Sequence, residues 1–441
     1  MSTLPDGPLA ASRTLAPAAQ SSLEDWLAYL ETINARVIEM GLARVRDVWR
    51  RLGLAPAFPV ITVAGTNGKG STCAMLESIL SRAGYRTGCY TSPHLVRYNE
   101  RVRIDREPVA DAPLVAAFAE IEQARGATPL TYFEVGTLAA MMLFIRQQVD
   151  VAILEVGLGG RLDAVNVFDN DVAVVSGIDF DHMEYLGNTR EEIGFEKAGV
   201  FKRGRAAVCA DPDPPASIEG HARDVGCDLL QIGRDFGYVA EGQQWTYWGY
   251  GVRRAGLPYP ALRGAFQLRN AAACLAVLDE IKDRLPVSMG QIRRGLAEVE
   301  LPGRFQVLPG RPAVVLDVAH NPQAARALAD NLAGMGPFRR TLGVLAMLRD
   351  KDIAAVVESV APRIDAWRVA SLPGVRGAQA AVLEEVLRRR DPAADVVGFA
   401  APVDAYLAAC AEAGEDDRIV VFGSFLTVAD IIAHRGRGEA R

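Results

Sequence analysis

A glycine-rich turn between a predicted strand and a predicted helix is the part of the sequence that most clearly indicates chemistry. The strand ends near Val63, and the turn reads GTNGKGS from Gly65 to Ser71. Glycines let backbone N–H groups turn towards an anion, and the start of the next helix adds positive charge there. Lys69 is long enough to reach the terminal phosphates of a nucleotide. The turn therefore predicts a phosphate-binding loop, although a tight strand-to-helix connection without a ligand would have a similar composition.

Polar side chains also follow three other predicted strands. Glu155 ends one apolar run, His182 follows the run Val172–Val175, and Ser92 follows the run Thr87–Tyr90. Ligands of open parallel sheets bind beyond the carboxyl ends of the strands. Carboxylate and hydroxyl oxygens suit Mg²⁺, which keeps several waters and takes few protein ligands. We therefore expect a magnesium site here, whereas each residue taken singly would be a solvated charge or a structural hydrogen bonder.

The elements that must position these residues alternate between short apolar runs and helical patterns. The runs predicted as strands in the first part of the chain are Val60–Val63, Thr87–Tyr90, Val151–Val156, Val172–Val175 and Ala206–Cys209. This alternation predicts an α/β fold in which a mainly parallel sheet carries helices on both faces, so that four strand ends meet at one crevice. Ser21 and Glu24 predict a capping box at the start of the first helix. The aromatic stretch Gln243–Tyr250 indicates an antiparallel hairpin.

A second alternating series predicts a smaller, Rossmann-like α/β domain at the C-terminus. Its predicted strands are Val314–Val318, Leu342–Leu345, Trp367–Val369, Val396–Phe399 and Ile419–Phe422. Pro- and Gly-rich segments separate the two series and predict a linker. We therefore expect a flexible tail over residues 1–20, a central domain over 21–300, a linker over 301–312 and a C-terminal domain over 313–441.

Composition excludes several classes of protein. The formal net charge of −6 argues against a nucleic-acid surface, which is usually basic. The six cysteines include no CxxC pair, so a zinc site has no support and a reducing cytoplasm is expected. The chain shows neither a signal-peptide pattern nor an apolar run of the ~20 residues that a membrane span needs. We therefore expect a cytoplasmic monomer that binds neither nucleic acid nor membrane.

Eight motifs, in order, resemble those of the Mur-ligase family and, within it, the folylpolyglutamate synthases. They read GTNGKGS, YTSPHLVRYNERVR, LTYFEVGTL, LEVGLGGRLDAVN, DHMEYLG, EKAG, LPGRFQ and DVAHNP, and the resemblance runs from about residue 22 to residue 430. The loop departs from the common GxxxxGK[ST] pattern because Val63 stands six places before Lys69 and the hydroxyl residue stands two places after it. It looks instead like the variant loop of the Mur ligases. The resemblance implies a P-loop-type ATPase domain followed by a smaller Rossmann-like domain, which is the Mur-ligase architecture.

The resemblance also implies roles for individual residues. It assigns ATP contacts to Thr66, Asn67, Gly68, Lys69, Gly70, Ser71, Asn270, Arg304 and Asp317. It assigns Mg²⁺ ligands to Ser92, Glu155 and His182, and catalytic roles to Lys69, Lys197 and His182. Lys197 matches the lysine that the family carries as a carbamate, on a helix whose start Thr189 and Glu192 predict. Without the family, Lys197 would be interpreted as a solvated surface charge.

The implied reaction is the ATP-dependent joining of L-glutamate to a carboxylate through an acyl phosphate. The bifunctional members of the family use 7,8-dihydropteroate and the γ-carboxylate of folyl(poly)glutamates. Residues that resemble their dihydropteroate contacts are Gly41, Leu42, Ala43, Arg44, Thr131, Leu162, Asp163 and Ala164.

Three alternatives stay open at this point. The first is folylpolyglutamate synthase activity alone. The second is a Mur-type ligase acting on a cell-wall nucleotide, although the chain leaves no room for a nucleotide-sugar domain before the phosphate loop. The third is a nucleotide-binding protein without catalysis, although Lys69, Ser92, Glu155 and His182 are all present.

Overall fold

The structure is a computed structural model that describes residues 16–34, 38–264 and 266–439, the side chains of 438 and 439 excepted. Residues 1–15 of the predicted tail lie outside this range. Residues 16–20 lie against the first helix, where Trp26 Nε1 donates a hydrogen bond to the Ala18 carbonyl at 3.2 Å. That helix begins one residue later than predicted. Its capping box uses Ser22 and Asp25 rather than Ser21 and Glu24, because the Ser22 side chain accepts from the Asp25 N–H.

The first sheet is mainly parallel, as predicted. Its strands are β1 (Val60–Ala64), β2 (Thr87–Tyr90), β3 (Val102–Ile104), β4 (Glu107–Pro108), β5 (Val151–Glu155), β6 (Val172–Val175), β7 (Ala206–Cys209) and β8 (Asp228–Gln231). They lie in the order β4-β3-β2-β5-β1-β6-β7-β8, and β3 pairs antiparallel with both of its neighbours, β2 and β4. Helices that surround this sheet are α1 (Leu23–Leu30), α2 (Ala43–Leu52), α3 (Lys69–Arg82), α4 (Asp111–Arg125), α5 (Tyr132–Arg146), α6 (Met183–Leu186), α7 (Arg190–Ala198), α8 (Ala216–Val225), α9 (Phe266–Ile281) and α10 (Met289–Ala297).

Two apolar cores lie on opposite faces of this sheet because strand side chains alternate in direction. Val60 and Ala64 of β1 pack towards α2, α4 and α5. Ile61 and Val63 of the same strand pack towards α3, α9 and α10. The apolar run of β1 is therefore buried on both sides, which is typical of a central parallel strand.

The predicted hairpin over Gln243–Tyr250 is wrong in detail. Residues Gln244–Gly249 form a single strand, β10, which lies between β9 (Phe236–Glu241) and β11 (Val252–Pro258) in an antiparallel sheet. The turns fall at Gly242 and Gly251, which have φ values of 62° and 67°. The chain reverses where glycine tolerates this conformation, on either side of the aromatic stretch.

The C-terminal sheet contains β12 (Gln306–Leu308), β13 (Ala313–Leu316), β14 (Thr341–Leu345), β15 (Ala366–Ala370), β16 (Val396–Phe399) and β17 (Arg418–Phe422). Its order is β12-β13-β17-β14-β15-β16, and only the edge strand β12 is antiparallel. Its helices are α11 (Pro322–Gly334), α12 (Ile353–Val360), α13 (Ala380–Arg390), α14 (Pro402–Glu412) and α15 (Phe425–Glu439). β12 lies inside the segment 301–312 that we predicted as a linker, so part of that segment belongs to the C-terminal sheet.

Candidate functional site

The predicted site residues follow four strands that are neighbours in the first sheet: β2, β5, β1 and β6. The ends of these strands are level. Tyr90 of β2 pairs with Leu154 of β5, Glu155 of β5 pairs with Val63 of β1, and Val63 also pairs with Val174 of β6. The residues that come next therefore emerge along one edge, as the sequence predicted.

The turn between β1 and α3 needs glycine at two positions. Gly65 and Gly68 have φ values of 146° and 95°. A Cβ on Gly65 would lie 2.1 Å from Ser176 Oγ, and one on Gly68 would lie 2.9 Å from Asn270 Oδ1. The backbone can therefore take this path only if these two positions carry no side chain. The turn leads directly into the first turn of α3. That arrangement is suited to binding phosphate oxygens.

Lys69 lies back over this turn, where its Nζ donates to the carbonyls of Gly65 at 2.9 Å and Thr66 at 3.2 Å. Ser71 is buried and accepts from Gln267 Nε2 at 3.3 Å. Asn270 is fully buried, and its Oδ1 has no hydrogen-bond partner among the described residues. A buried acceptor without a donor fits a residue that faces a ligand.

Glu155 and Ser92 are brought together at the ends of β5 and β2. The Glu155 side chain is buried, and its Oε2 accepts from the Ser92 N–H at 3.1 Å. Its Oε1 accepts no hydrogen bond within the described ranges. Burial raises the pKa of Glu155, although the positive charge of Lys69 opposes that shift. One carboxylate oxygen is thus free for a cation, and with the hydroxyl of Ser92 it forms a hard donor set that fits Mg²⁺ or Mn²⁺.

Protein side chains alone would not complete such a metal site. No three His, Cys, Asp or Glu side chains in the described part of the chain lie close enough together to hold a metal ion. A bound cation would therefore also need water and ligand oxygens, which is the usual mode of Mg²⁺.

His182 follows β6 in a loop that is tied to the phosphate turn. Thr66 Oγ1 donates to the Asp179 carbonyl at 2.9 Å and accepts from the Asp179 N–H at 3.0 Å. Burial lowers the pKa of the His182 imidazole to about 4, against the opposite pull of the Asp181 carboxylate. The ring is therefore neutral at pH 7 and has a lone pair available for a metal.

Lys197 is buried on α7, contrary to the interpretation as a surface charge. Thr189 caps this helix and forms the predicted capping box with Glu192. The Lys197 ammonium has no ion pair or hydrogen bond within the part of the chain that the structure describes. Burial, and then the charge of Lys69, lower the pKa of Lys197 to about 7. A large fraction of this side chain is therefore an uncharged amine near neutral pH.

Arg304 links the C-terminal sheet to the phosphate turn. Its guanidinium lies over the Phe425 ring at 4.8 Å. Its Nη2 and Glu155 Oε1 lie 3.9 and 3.8 Å from the position that a Cβ on Gly70 would take. Asp317 accepts from the N–H groups of Phe305 at 2.8 Å and of Ala319 at 2.7 Å, which fixes the loop beside Arg304.

The residues predicted to contact dihydropteroate lie together at the start of α2. The Gly41 N–H donates to the Leu162 carbonyl at 3.2 Å. Arg44 Nη2 donates to Glu134 Oε1 at 3.0 Å, and Glu134 belongs to the capping box of Thr131 on α5. Leu42 precedes the first residue of α2, Ala43, and Ala164 begins a short 3-10 helix.

Asp163 has a defined local role in this group. Its Oδ2 accepts from the Leu158 N–H at 2.9 Å, and its Oδ1 accepts from the Val165 N–H at 3.0 Å. Burial raises the pKa of Asp163 to about 7, although these N–H groups oppose the shift. The side chain therefore holds the loop that carries Leu162 and Ala164.

The sequence did not identify the contacts between the two sheets. Lys351 Nζ donates to Asp181 Oδ1 at 2.6 Å, and Asn321 Nδ2 donates to Asn67 Oδ1 at 3.2 Å. Asp181 could have been found as an acidic residue directly before His182. Lys351 lies in a loop without a distinguishing pattern, so only the packing of the two sheets reveals it.

Comparisons with known proteins agree with this arrangement. Residues 63–278 match the family model of the Mur ligase middle domain, and residues 303–425 match that of the Mur ligase, glutamate ligase domain. The fold and the site therefore define a Mur-type ligase. The dihydrofolate synthase/folylpolyglutamate synthase of Escherichia coli K12 is 45% identical over 417 residues, which cover 94% of this chain and 96% of that protein. The protein of that name from Haemophilus influenzae is 39% identical over 94% of this chain and 98% of its own length. The chain belongs to the dihydrofolate synthase/folylpolyglutamate synthase family.

Solved structures of relatives have the same fold over nearly the whole chain. The structure of E. coli FolC in complex with DHPP and ADP has a TM-score of 0.92 at 44% identity, covering 96% of this chain and 100% of that one. A bifunctional folylpolyglutamate synthase/dihydrofolate synthase with Mn, AMPPNP and L-glutamate bound has a TM-score of 0.89 at 45% identity, with the same coverage. No helix in the described ranges is both long and apolar enough to cross a membrane.

Proposed function

We propose that this protein joins L-glutamate to 7,8-dihydropteroate, and to the γ-carboxylate of folyl(poly)glutamates, with the conversion of ATP to ADP and phosphate. The observation that carries the proposal is that the phosphate turn, Ser92, Glu155 and the loop that contains His182 follow the level ends of four adjacent strands. The relatives that bind DHPP, ADP, AMPPNP, Mn and L-glutamate support the choice of ligands.

The reaction has two steps, phosphorylation of a carboxylate and attack by an amine. A carboxylate oxygen of the folate substrate attacks the γ-phosphorus of ATP, which breaks the bond to ADP and gives an acyl phosphate. The amine of glutamate then attacks the acyl carbon, loses a proton and expels phosphate. Water must be excluded meanwhile, because it would hydrolyse the acyl phosphate.

The phosphate turn and Lys69 hold the nucleotide in this proposal. The backbone from Thr66 to Ser71 surrounds the phosphates, and Lys69 leaves the carbonyls of Gly65 and Thr66 to neutralise the transferred phosphoryl group. Asn270 offers its unpaired Oδ1 to the nucleotide. Arg304 and Asp317 bind it from the C-terminal sheet, so that ATP lies between the two sheets.

Glu155, Ser92 and His182 would hold Mg²⁺ through a carboxylate oxygen, a hydroxyl and a neutral imidazole. The ion, when bound, supplies positive charge to the phosphate oxygens. Lys197 is a carbamate in the active enzyme. Its pKa of about 7, caused first by burial and then by the Lys69 charge, keeps much of the amine in the form that adds CO₂.

Dihydropteroate binds against the start of α2 and the loop held by Asp163, through Gly41–Arg44, Thr131 and Leu162–Ala164. The charge of Lys69 in the phosphate turn acts on this region. It lowers the pKa of Asp163, although burial and the local N–H groups have larger effects on that pKa. The protein works in the cytoplasm as a monomer, and its partners are these small molecules.

The test is product identification by mass spectrometry. Purified protein with ATP, Mg²⁺ and glutamate is given dihydropteroate, a folyl monoglutamate or a muramyl nucleotide. We expect a product heavier by one glutamyl residue from each of the first two, with stoichiometric ADP, and none from the third. Product from the folyl substrate alone would contradict dihydrofolate synthesis, and product from the muramyl nucleotide would contradict the proposed substrate class.

A further inference from the structure

The backbone of His182 has an unusual conformation. Its φ and ψ values are 50° and 41°, in the left-handed region that residues with a side chain rarely adopt. The residue comes just before α6, and its own side chain makes no capping hydrogen bond there. Another group must therefore hold the backbone so that the imidazole points in one direction.

The Asp181 carboxylate is that group. Its Oδ1 accepts from the His182 N–H at 2.9 Å and from Lys351 Nζ at 2.6 Å. Its Oδ2 lies 3.8 Å from Nε2 of both His182 and His320. One oxygen thus joins the backbone of His182 to an ammonium that belongs to the C-terminal sheet.

Lys351 is held by backbone hydrogen bonds in the loop between β14 and α12 of the C-terminal domain. It lies in the loop after β14, where its N–H donates to the Leu348 carbonyl and its carbonyl accepts from the Ile353 N–H at 2.9 Å. The next residue, Asp352, caps α12. The position of the ammonium therefore follows the position of the C-terminal sheet.

Apart from the 3.8 Å approach of His320 to Asp181, two other contacts between the two domains are weaker constraints on His182. The ion pair between Arg326 and Asp179 spans 3.7 Å, and its arginine side chain is 60% exposed. The contact between Asn67 and Asn321 involves neutral amides and the phosphate turn. In the Asp181–Lys351 pair both side chains are at most 13% exposed, so water screens this attraction less.

We propose that Asp181 is a positioning residue for His182, and that its ion pair with Lys351 makes the geometry of His182 depend on the docked position of the C-terminal sheet. The metal site of the first sheet is then complete only when the sheet that carries Arg304 and Asp317 is in place. This inference rests on the proposed role of His182 as a metal ligand. It adds a coupling that neither the strand-end motifs nor the relatives' bound ligands imply.

The test measures Mn²⁺ binding to the full-length protein with AMPPNP, by the electron paramagnetic resonance signal of free Mn²⁺. The His182→Ala variant gives the Mn²⁺ affinity of a protein that lacks the imidazole. Asp181→Asn keeps an acceptor for the His182 N–H but loses the ion pair, and Lys351→Met loses the ammonium at similar length. We expect each to weaken Mn²⁺ binding about ten-fold, and the double variant to lose no more than the worse single one. Lys351→Arg should restore binding to within about three-fold, and the exposed Arg326→Gln should match the parent.

The outcomes separate the inference from the proposed function. If the parent binds Mn²⁺ no better than His182→Ala, the metal role of His182 fails and the inference fails with it. If the parent binds better but Asp181→Asn and Lys351→Met equal the parent, only the coupling is overturned. A higher KM for glutamate in Lys351→Met, with unchanged Mn²⁺ binding, would likewise overturn it and place Lys351 on the substrate. Urea denaturation of each variant shows whether lost binding reflects unfolding, and losses that add in the double variant would contradict a shared pair.

Discussion

Lys69 is the residue whose charge reaches most of the proposed site. It contributes to the pKa of Glu155, Asp163, His182 and Lys197, after burial in each case. Those four residues come from different strand ends and loops, yet all lie within electrostatic range of one ammonium. The site is therefore compact around the phosphate turn.

Lys69→Ala should abolish ligase activity with little effect on folding. Among the described residues the ammonium donates only to the carbonyls of Gly65 and Thr66, so its loss removes two partly buried hydrogen bonds. The variant lacks the positive charge that balances the negative charge of the transferred phosphoryl group. We therefore expect kcat to fall by about 10³-fold. Steady-state ADP release gives the rate and urea denaturation gives the stability. Arg82→Ala, at the exposed end of the same helix, is the control. An activity within a few-fold of the parent would remove the turn from the mechanism.

Lys197 should carry a carbamate. Burial, followed by the Lys69 charge, lowers the pKa of this lysine to about 7, so the reactive amine is abundant above pH 7 and scarce well below it. We expect a ¹³C carbamate signal after labelling with ¹³C-bicarbonate, absent from Lys197→Ala. Removal of CO₂ should reduce activity more at pH 6 than at pH 8, because protonation competes with carbamate formation. Full activity after removal of CO₂, together with the absence of a labelled lysine, would contradict carbamylation of Lys197.

At the scale of elements, helix α3 is held between the first sheet and α10. Residues Ser71–Leu80 are buried, and Gly295 of α10 approaches the backbone of Ile79. A Cβ on Gly295 would lie 2.5 Å from Ile79 Cα, whereas Gly290 of the same helix is exposed and has room for one. The position of the phosphate turn thus depends on the absence of one side chain.

Gly295→Ala should lower the free energy of unfolding by up to about 2 kcal/mol. Overpacking costs about 1–3 kcal/mol, which exceeds the gain of roughly 1 kcal/mol from replacing glycine in a helix. The matched control, Gly290→Ala, should raise stability by up to about 1 kcal/mol, since only helix propensity changes. Urea denaturation of both variants measures the difference. Equal stabilisation by the two changes would show that α3 and α10 have room to separate.

Many of the helices and strands were predictable from local sequence patterns. The strands that flank the site and the capping box at Thr189 follow from apolar runs and neighbouring polar residues, and the structure confirms them. The stretch around Trp245 and Tyr247 was assigned as a hairpin because its aromatic alternation suits paired strands. The turns are set by Gly242 and Gly251 outside it, so the stretch is one strand of a larger sheet.

At the scale of the whole molecule, the contacts between the two sheets could not be predicted from spacing along the chain. The approach of Arg304 to Gly70 and of Lys351 to Asp181 depends on how one sheet docks on the other. Only the resemblance to a known family indicated Arg304, and nothing in the sequence singled out Lys351. The buried position of Lys197 has the same origin, because its local pattern is that of a surface helix.

Arg304→Met should weaken ATP binding about ten- to one-hundred-fold if the nucleotide lies between the sheets. A hydrogen bond to a charged group contributes about 1.5–3 kcal/mol, and methionine keeps the contact with Phe425. Arg311→Met is the control, because this exposed arginine of the same segment pairs with Glu415 and Asp416 at the surface. Calorimetry with AMPPNP and Mg²⁺ measures both. Equal affinities in the two variants would contradict the bridging position of ATP.

Activation of a carboxylate by ATP is the central claim, and oxygen transfer tests it most directly. Dihydropteroate labelled with ¹⁸O in its carboxylate is converted with ATP and glutamate, and the phosphate released is analysed by mass spectrometry. An acyl phosphate requires one labelled oxygen to leave with the phosphorus, so the account predicts one ¹⁸O per phosphate and one retained in the amide. Glutamyl product accompanied by phosphate without the label would contradict the account.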